Sequence, residues 1–143
     1  MLDPATITPS VAEVAALIVS RTRSTLGGLE GTFTADTVPT DVEAAQHAAR
    51  AARYVALRLG TVRTTAGDLG TAAKDCAAVY AALTIEQSYY ADGSDPSQGG
   101  ADQLGRIARE QLDALVSTAR DNQPGGRRIH SLRQITAQST SEA

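Results

Sequence analysis

The chain has 143 residues, 42% of them hydrophobic and only 3% aromatic, with a formal net charge of −3. That length suits one domain with a single core, and an acidic balance speaks against an autonomous DNA-binding module, whose footprint is a basic patch. The longest apolar runs, the aliphatic Val14–Val19 of six residues and Cys76–Leu83 of eight, which includes Tyr80, are far below the ~20 of a membrane-spanning helix, and Met1-Leu2-Asp3-Pro4 lacks the basic start of a secretory leader.

The 26 alanines favour helix. With Phe33 the only phenylalanine, no tryptophan, and tyrosine at 54, 80, 89 and 90, the core must come from aliphatic side chains and closely approaching alanine faces. Residues 1–9 read as a polar lead with prolines at 4 and 9. A first helix is predicted over 10–23, opened by Ser10 and Glu13 in a capping-box pattern. Its apolar stripe is Val11, Val14, Ala15, Leu17 and Ile18.

Residues 24–39 form a connector rich in glycine, threonine and acids, in which Thr32, Phe33 and Thr34 could make a short extended piece. Thr40 and Glu43 repeat the capping box, with Pro39 placed where it does not obstruct the helix. The second helix is predicted over 40–59, with Gly60 as its stop and Val42, Ala45, Ala49, Ala52, Val55, Ala56 and Leu59 as its core stripe. Ala44, Ala48 and Ala51 lie off that stripe, and are expected to let a neighbouring subunit or helix approach closely.

A third helix is predicted over 71–90, with Ala72, Cys76, Val79, Tyr80, Leu83 and Gln87 on one side. Gly93, Pro96, Gly99 and Gly100 break the chain before a fourth helix over 101–121. Its core face is Leu104, Ile107, Ala108, Leu112, Leu115 and Val116, and Pro124-Gly125-Gly126 follows as a stop. The expected fold class is therefore all-α: a four-helix bundle-like domain with long interhelical loops over 1–122, and an extended C-terminal arm over 123–143. No repeat of 20–50 residues is visible.

Charge separates the arm from the body. Residues 1–126 carry 10 basic and 15 acidic side chains, whereas 127–143 carry Arg127, Arg128 and Arg133 against Glu142 alone. Ile129, Leu132 and Ile135 fit neither strand alternation nor a long helical stripe. Such a segment reads as disordered when free and as a docking arm when bound.

Residue chemistry offers no active site. His47 and His130 stand in no ligand spacing with Cys76. Cys76 sits on an apolar stripe and reads as a buried structural thiol. Asp41 and Glu43 are explained by the helix dipole. Gly27-Gly28-Leu29-Glu30-Gly31 lacks the lysine of a phosphate loop. The connectors are too long for a helix-turn-helix, so Arg50, Arg53 and Arg58 read as a solvated or interfacial face. Tyr89 and Tyr90 are candidate interface anchors.

The order of features resembles the head–tail connector (adaptor) proteins of long-tailed bacteriophages. The residues that carry the resemblance are the first helix with Arg21-Thr22-Arg23, the connector Gly31-Thr-Phe-Thr-Ala-Asp-Thr-Val-Pro-Thr40, Leu57-Arg-Leu-Gly60 closing the second helix, and Ala77–Ile85 followed by Glu86-Gln-Ser-Tyr-Tyr90. A final amphipathic helix completes the match, over about residues 9–120. Leu26–Glu30 and the tail beyond Gly126 depart from the family pattern.

The resemblance implies a non-enzymatic virion subunit needing no cofactor or metal. It would be made in the host cytoplasm and built into the phage neck. Partners implied are the portal protein, neighbouring adaptor subunits in a twelve-membered ring, and the next neck component (the stopper). DNA would pass through without sequence-specific binding, which an acidic wall suits, and no membrane is involved. The arm residues Arg127, Arg128, Ile129, Leu132, Arg133 and Ile135 are the expected partner-binding set. Ala44, Ala48, Ala51, Tyr89 and Tyr90 are the expected subunit contacts. The alternative is a cytoplasmic helical oligomerisation or regulatory module.

Overall fold

The computed structural model describes residues 2–60, 68–91 and 99–121, with backbone only at 90–91 and 99–100. Four α-helices carry the described chain: α1 Val11–Leu17, α2 Asp41–Leu59, α3 Asp68–Ala91 and α4 Gly99–Asp121. The fold is all-α and bundle-like. α3 is the central element, packed against α2, α4 and α1. It buries Ala73, Cys76, Ala77, Ala78, Val79, Ala81, Ala82, Leu83 and Ile85, residues that occupy most of its circumference. A helix apolar nearly all round is an interior helix, so the one-sided stripe expected for it is too narrow. Ala72 and Gln87 of that stripe are exposed.

The lead is not polar decoration. Asp3 caps a 3₁₀ turn, Pro4–Ile7, which puts Leu2 and Ile7 into the core at 2% and 0% exposure. Ser10 then caps α1, its hydroxyl accepting from Glu13 N–H at 3.1 Å.

α1 stops at Leu17, well short of Arg23. Ile18 leaves helical geometry at φ −137°, ψ 51°, and a second 3₁₀ turn follows at Val19–Arg21. Ile18, Val19 and Thr22 are β-branched, which weakens helix. The Thr22 hydroxyl also donates to Val19 C=O at 2.7 Å, satisfying a carbonyl that a continued helix would have used. The break keeps Ile18 in the core and leaves Leu17 45% exposed.

α2 follows its caps closely. Thr40 and Glu43 make both bonds of the capping box, at 3.2 and 2.9 Å. Gly60, at φ +64°, closes the helix with its N–H on the Ala56 and Leu57 carbonyls. Its phase bears out Ala52, Val55, Ala56 and Leu59 of the expected stripe and corrects the rest. Ala44, Ala48, Ala51, Ala52, Val55, Ala56 and Leu59 are buried, while Ala45 is exposed, Ala49 half-buried and Val42 62% exposed. Ala44, Ala48 and Ala51, expected to let a neighbouring subunit or helix approach closely, admit a helix of their own chain: they share one core with the alanines of α3. On α4 the expected face holds: Ala108, Leu112 and Leu115 are buried, and Leu104, Ile107 and Val116 half-buried.

Candidate interaction surface

The connector between α1 and α2 is pinned by threonine hydroxyls. Thr22 Oγ1 accepts from Gly31 N–H at 3.1 Å, and Thr37 Oγ1 accepts from Thr34 N–H at 2.9 Å. The Thr37 hydroxyl has two acceptors in reach, Pro39 C=O at 2.7 Å and Thr34 C=O at 3.0 Å. Asp41 N–H, at the start of α2, donates to Thr34 C=O at 3.1 Å. Isolated antiparallel bridges join Arg23 to Leu29 and Ser24 to Thr37. The extended pairing therefore lies at 23–24, 29 and 37, not at 32–34. Phe33, 3% exposed, fills the core beneath.

Thr37 is 1% exposed, so its bonds have no water to replace them. Thr37→Val keeps the shape and removes both roles of the hydroxyl. It should cost about 1–3 kcal/mol, read as a lower urea midpoint; an unchanged midpoint would mean that Phe33 packing alone holds the segment.

Beside this connector the 3₁₀ turn delivers Arg21 to α3. Its Nε donates to Glu86 Oε1 at 2.9 Å and its terminal nitrogen to Oε2 at 2.8 Å, a two-pronged pair with side chains 18% and 8% exposed. The guanidinium carbon lies 4.1 Å from the centre of the Tyr89 ring, a favourable cation–π arrangement. The Tyr89 hydroxyl donates to Val38 C=O. Burial pushes the Tyr89 phenol up, against the opposing pull of Arg21. Tyr89 thus ties α3 to the connector, and its ring is half-buried inside the fold. Tyr90 belongs to α3, and its side chain lies outside the described residues.

Sequence reasoning missed this Arg21–Glu86–Tyr89 cluster. One signal was available: Glu86 directly follows the largely apolar run Ala77–Ile85, and a carboxylate that deep on an interior helix needs a cation.

The outer side of α2 carries exposed Arg50, Arg53 and Arg58 with Tyr54 (41%) and Leu57 (67%). Tyr54 meets Tyr80 of α3 edge-on, ring centres 5.0 Å apart. Burial, joined by Tyr54, pushes the Tyr80 phenol up to about 12. A groove of about 530 Å³ opens there, lined by both tyrosines and by Gln87, Asp102, Arg106 and Arg109. A second, of about 550 Å³, lies between the first half of α3 and the second half of α4. Its floor is Leu69, Ala72, Ala114 and Leu115, and its rim holds Asp68 and Asp75. Further apolar exposure sits on the connector at Leu26 (89%), Leu29 (55%) and Val38 (60%).

Among the described residues, Cys76 and His47 are held within the fold. Burial pushes the Cys76 thiol up to about 11, away from the reactive thiolate. His47 Nδ1 lies 2.9 Å from Thr84 Oγ1, whose proton goes to Ala81 C=O. Burial and then Arg50 lower the His47 pKa, with Glu43 opposing. No group of three or more potential metal ligands occurs among the described residues, and no described helix is long and apolar enough to cross a membrane.

The arm residues Arg127, Arg128, Ile129, Leu132, Arg133 and Ile135 lie outside the described residues. No protein family, curated protein or solved structure matches this chain.

Proposed function

We propose that this chain is a structural, non-enzymatic subunit of a bacteriophage neck. It forms a ring under the portal, joins head to tail and continues the DNA channel. The observation that carries this reading is the connector Gly31–Thr40. The segment with the most specific resemblance to the adaptor proteins is also the one whose threonines pin α2 and whose Val38 carbonyl receives Tyr89. Exposed Leu26, Leu29 and Val38 beside it, with Tyr54 and Leu57 on α2, supply apolar surface of the kind subunit contacts use.

In this reading the arm engages the portal, with a neighbouring subunit as the second choice. Burying Ile129, Leu132 or Ile135 contributes about 1.5–3 kcal/mol each, while ordering the backbone costs ~1–2 kcal/mol per residue. A single arm is therefore a weak contact, and a ring of arms a strong one.

The test uses the full chain and a chain stopped after Gly125, each mixed with portal-bearing heads. The full chain should form rings and attach. The shortened chain should keep its helical content but lose most of its attachment. Normal attachment of the shortened chain would remove the arm from the mechanism. Small oligomers of the full chain that ignore portal would overturn the neck role and favour a cytoplasmic oligomerisation module.

A further inference from the structure

The α3/α4 groove combines an apolar floor with two carboxylates on its rim, and among the described residues nothing covers it. Asp68 and Asp75 are exposed, and among the described residues neither has a basic partner. The chain itself carries the complement of that chemistry. Arg127, Arg128 and Arg133 are interspersed with Ile129, Leu132 and Ile135 in a segment with a single acid, Glu142. We infer that this groove is the resting seat of the subunit's own C-terminal arm, with the isoleucines and leucine on the floor and the arginines beside Asp68 and Asp75.

Placement supports the match. α4 ends at Asp121, three positions past the groove residue Thr118. Ile129 lies eight positions beyond Asp121, a span of up to about 26 Å at ~3.3 Å per residue. From the end of α4 back to Ala114 is about 10 Å at ~1.5 Å per residue of helix. Pro124-Gly125-Gly126 stands where a chain returning to the groove would reverse, and a Pro-Gly pair favours a turn. So short a tether sets an effective concentration on the order of millimolar. That favours the subunit's own arm over a second copy's at ordinary protein concentrations.

The seat does not depend on the neck reading. Where that reading holds, portal has to draw the arm out of the groove, and free subunits would hold their arms back until a portal is present.

Cross-linking in the full-length chain tests the seat. Ala114→Cys puts a thiol on an exposed groove position, and Ser131→Cys puts one in the arm without removing an arginine or an apolar residue. Gln46→Cys, exposed on α2, replaces the groove thiol in the control. The native Cys76 is buried, 1% exposed, and does not compete. With a short bis-maleimide the 114–131 pair should close within one monomer at least about ten-fold faster than the 46–131 pair, as expected for a tethered, seated segment. Closure should slow several-fold in Asp68→Asn/Asp75→Asn and in about 0.5 M salt, which screens exposed pairs. Equal rates for the two pairs would overturn the proposal. So would covalent dimers from the 114–131 pair, because the groove would then hold a neighbour's arm. Fast closure indifferent to salt and to the aspartates would overturn the charge pairing and leave the apolar seat.

Discussion

Replacing Arg21 with methionine should lower stability by about 3 kcal/mol, because it strands the Glu86 carboxylate on an interior helix without its counter-ion. Glu86 is 6% exposed and receives both prongs of the guanidinium. Methionine keeps most of the arginine stem's packing, so the loss reports charge rather than volume. On a domain of this size that is on the order of 10 °C in melting temperature. The double variant Arg21→Met/Glu86→Leu should recover most of the loss, since an apolar pair of similar volume commonly matches a buried ion pair. A single variant that melts with the parent would show the pair to be solvated and energetically idle. A double variant as unstable as the single would assign the loss to geometry, with Arg21 needed to hold the 3₁₀ turn at Val19–Arg21.

Ala48→Leu should be nearly as damaging, and Ala45→Leu nearly silent. Ala48 is 1% exposed and shares a core with Ala44, Ala52, Ala73, Ala77 and Ala81. Alanine there sets how closely the α2 and α3 backbones approach. Inserting an isobutyl group forces the helices apart or drives side chains off rotamer, at about 1–3 kcal/mol or more. Ala45 points to solvent, and an exposed substitution stays within about 0.5 kcal/mol. Thermal melts of the two variants read the rotational phase of α2 directly. If Ala45→Leu proved the disruptive one, the phase described above would be wrong. The effect of Ala48→Leu belongs to folding of the single chain; subunit assembly would suffer only as a consequence.

The arm is the part of the candidate site whose chemistry was legible without a structure. Its three arginines and three large aliphatics follow a Pro-Gly-Gly break on an otherwise acidic chain. What it meets was not legible, because a partner surface is made of residues distant in sequence. Asp68 and Ala114 line one groove only because α3 and α4 are packed side by side. The same limit hid the Arg21–Glu86–Tyr89 cluster, which joins residues 65 positions apart.

Local chemistry determined the elements. Capping at Ser10 and Thr40, the glycine stop at Gly60 and the stripe of α4 are short-range signals, and each stands where the residues put it. Fold class followed from them. Tertiary structure decided which alanines of α2 are covered and, together with the β-branched residues Ile18, Val19 and Thr22, where α1 ends. On α2, alanines occupy two adjacent faces, and so small a side chain marks the buried face weakly. Val42 pulled the expected stripe toward Ala45, yet it stands in the first turn and is exposed. Ala52, Val55 and Leu59, which were on the expected stripe, share the covered face with Ala44, Ala48 and Ala51. At α1, the apolar period runs on through Ile18, but the chain turns there so that Arg21 meets Glu86 on α3. A helical pattern reports only which residues could share a face; which face is covered, and where a helix must yield, depends on the partner packed against it.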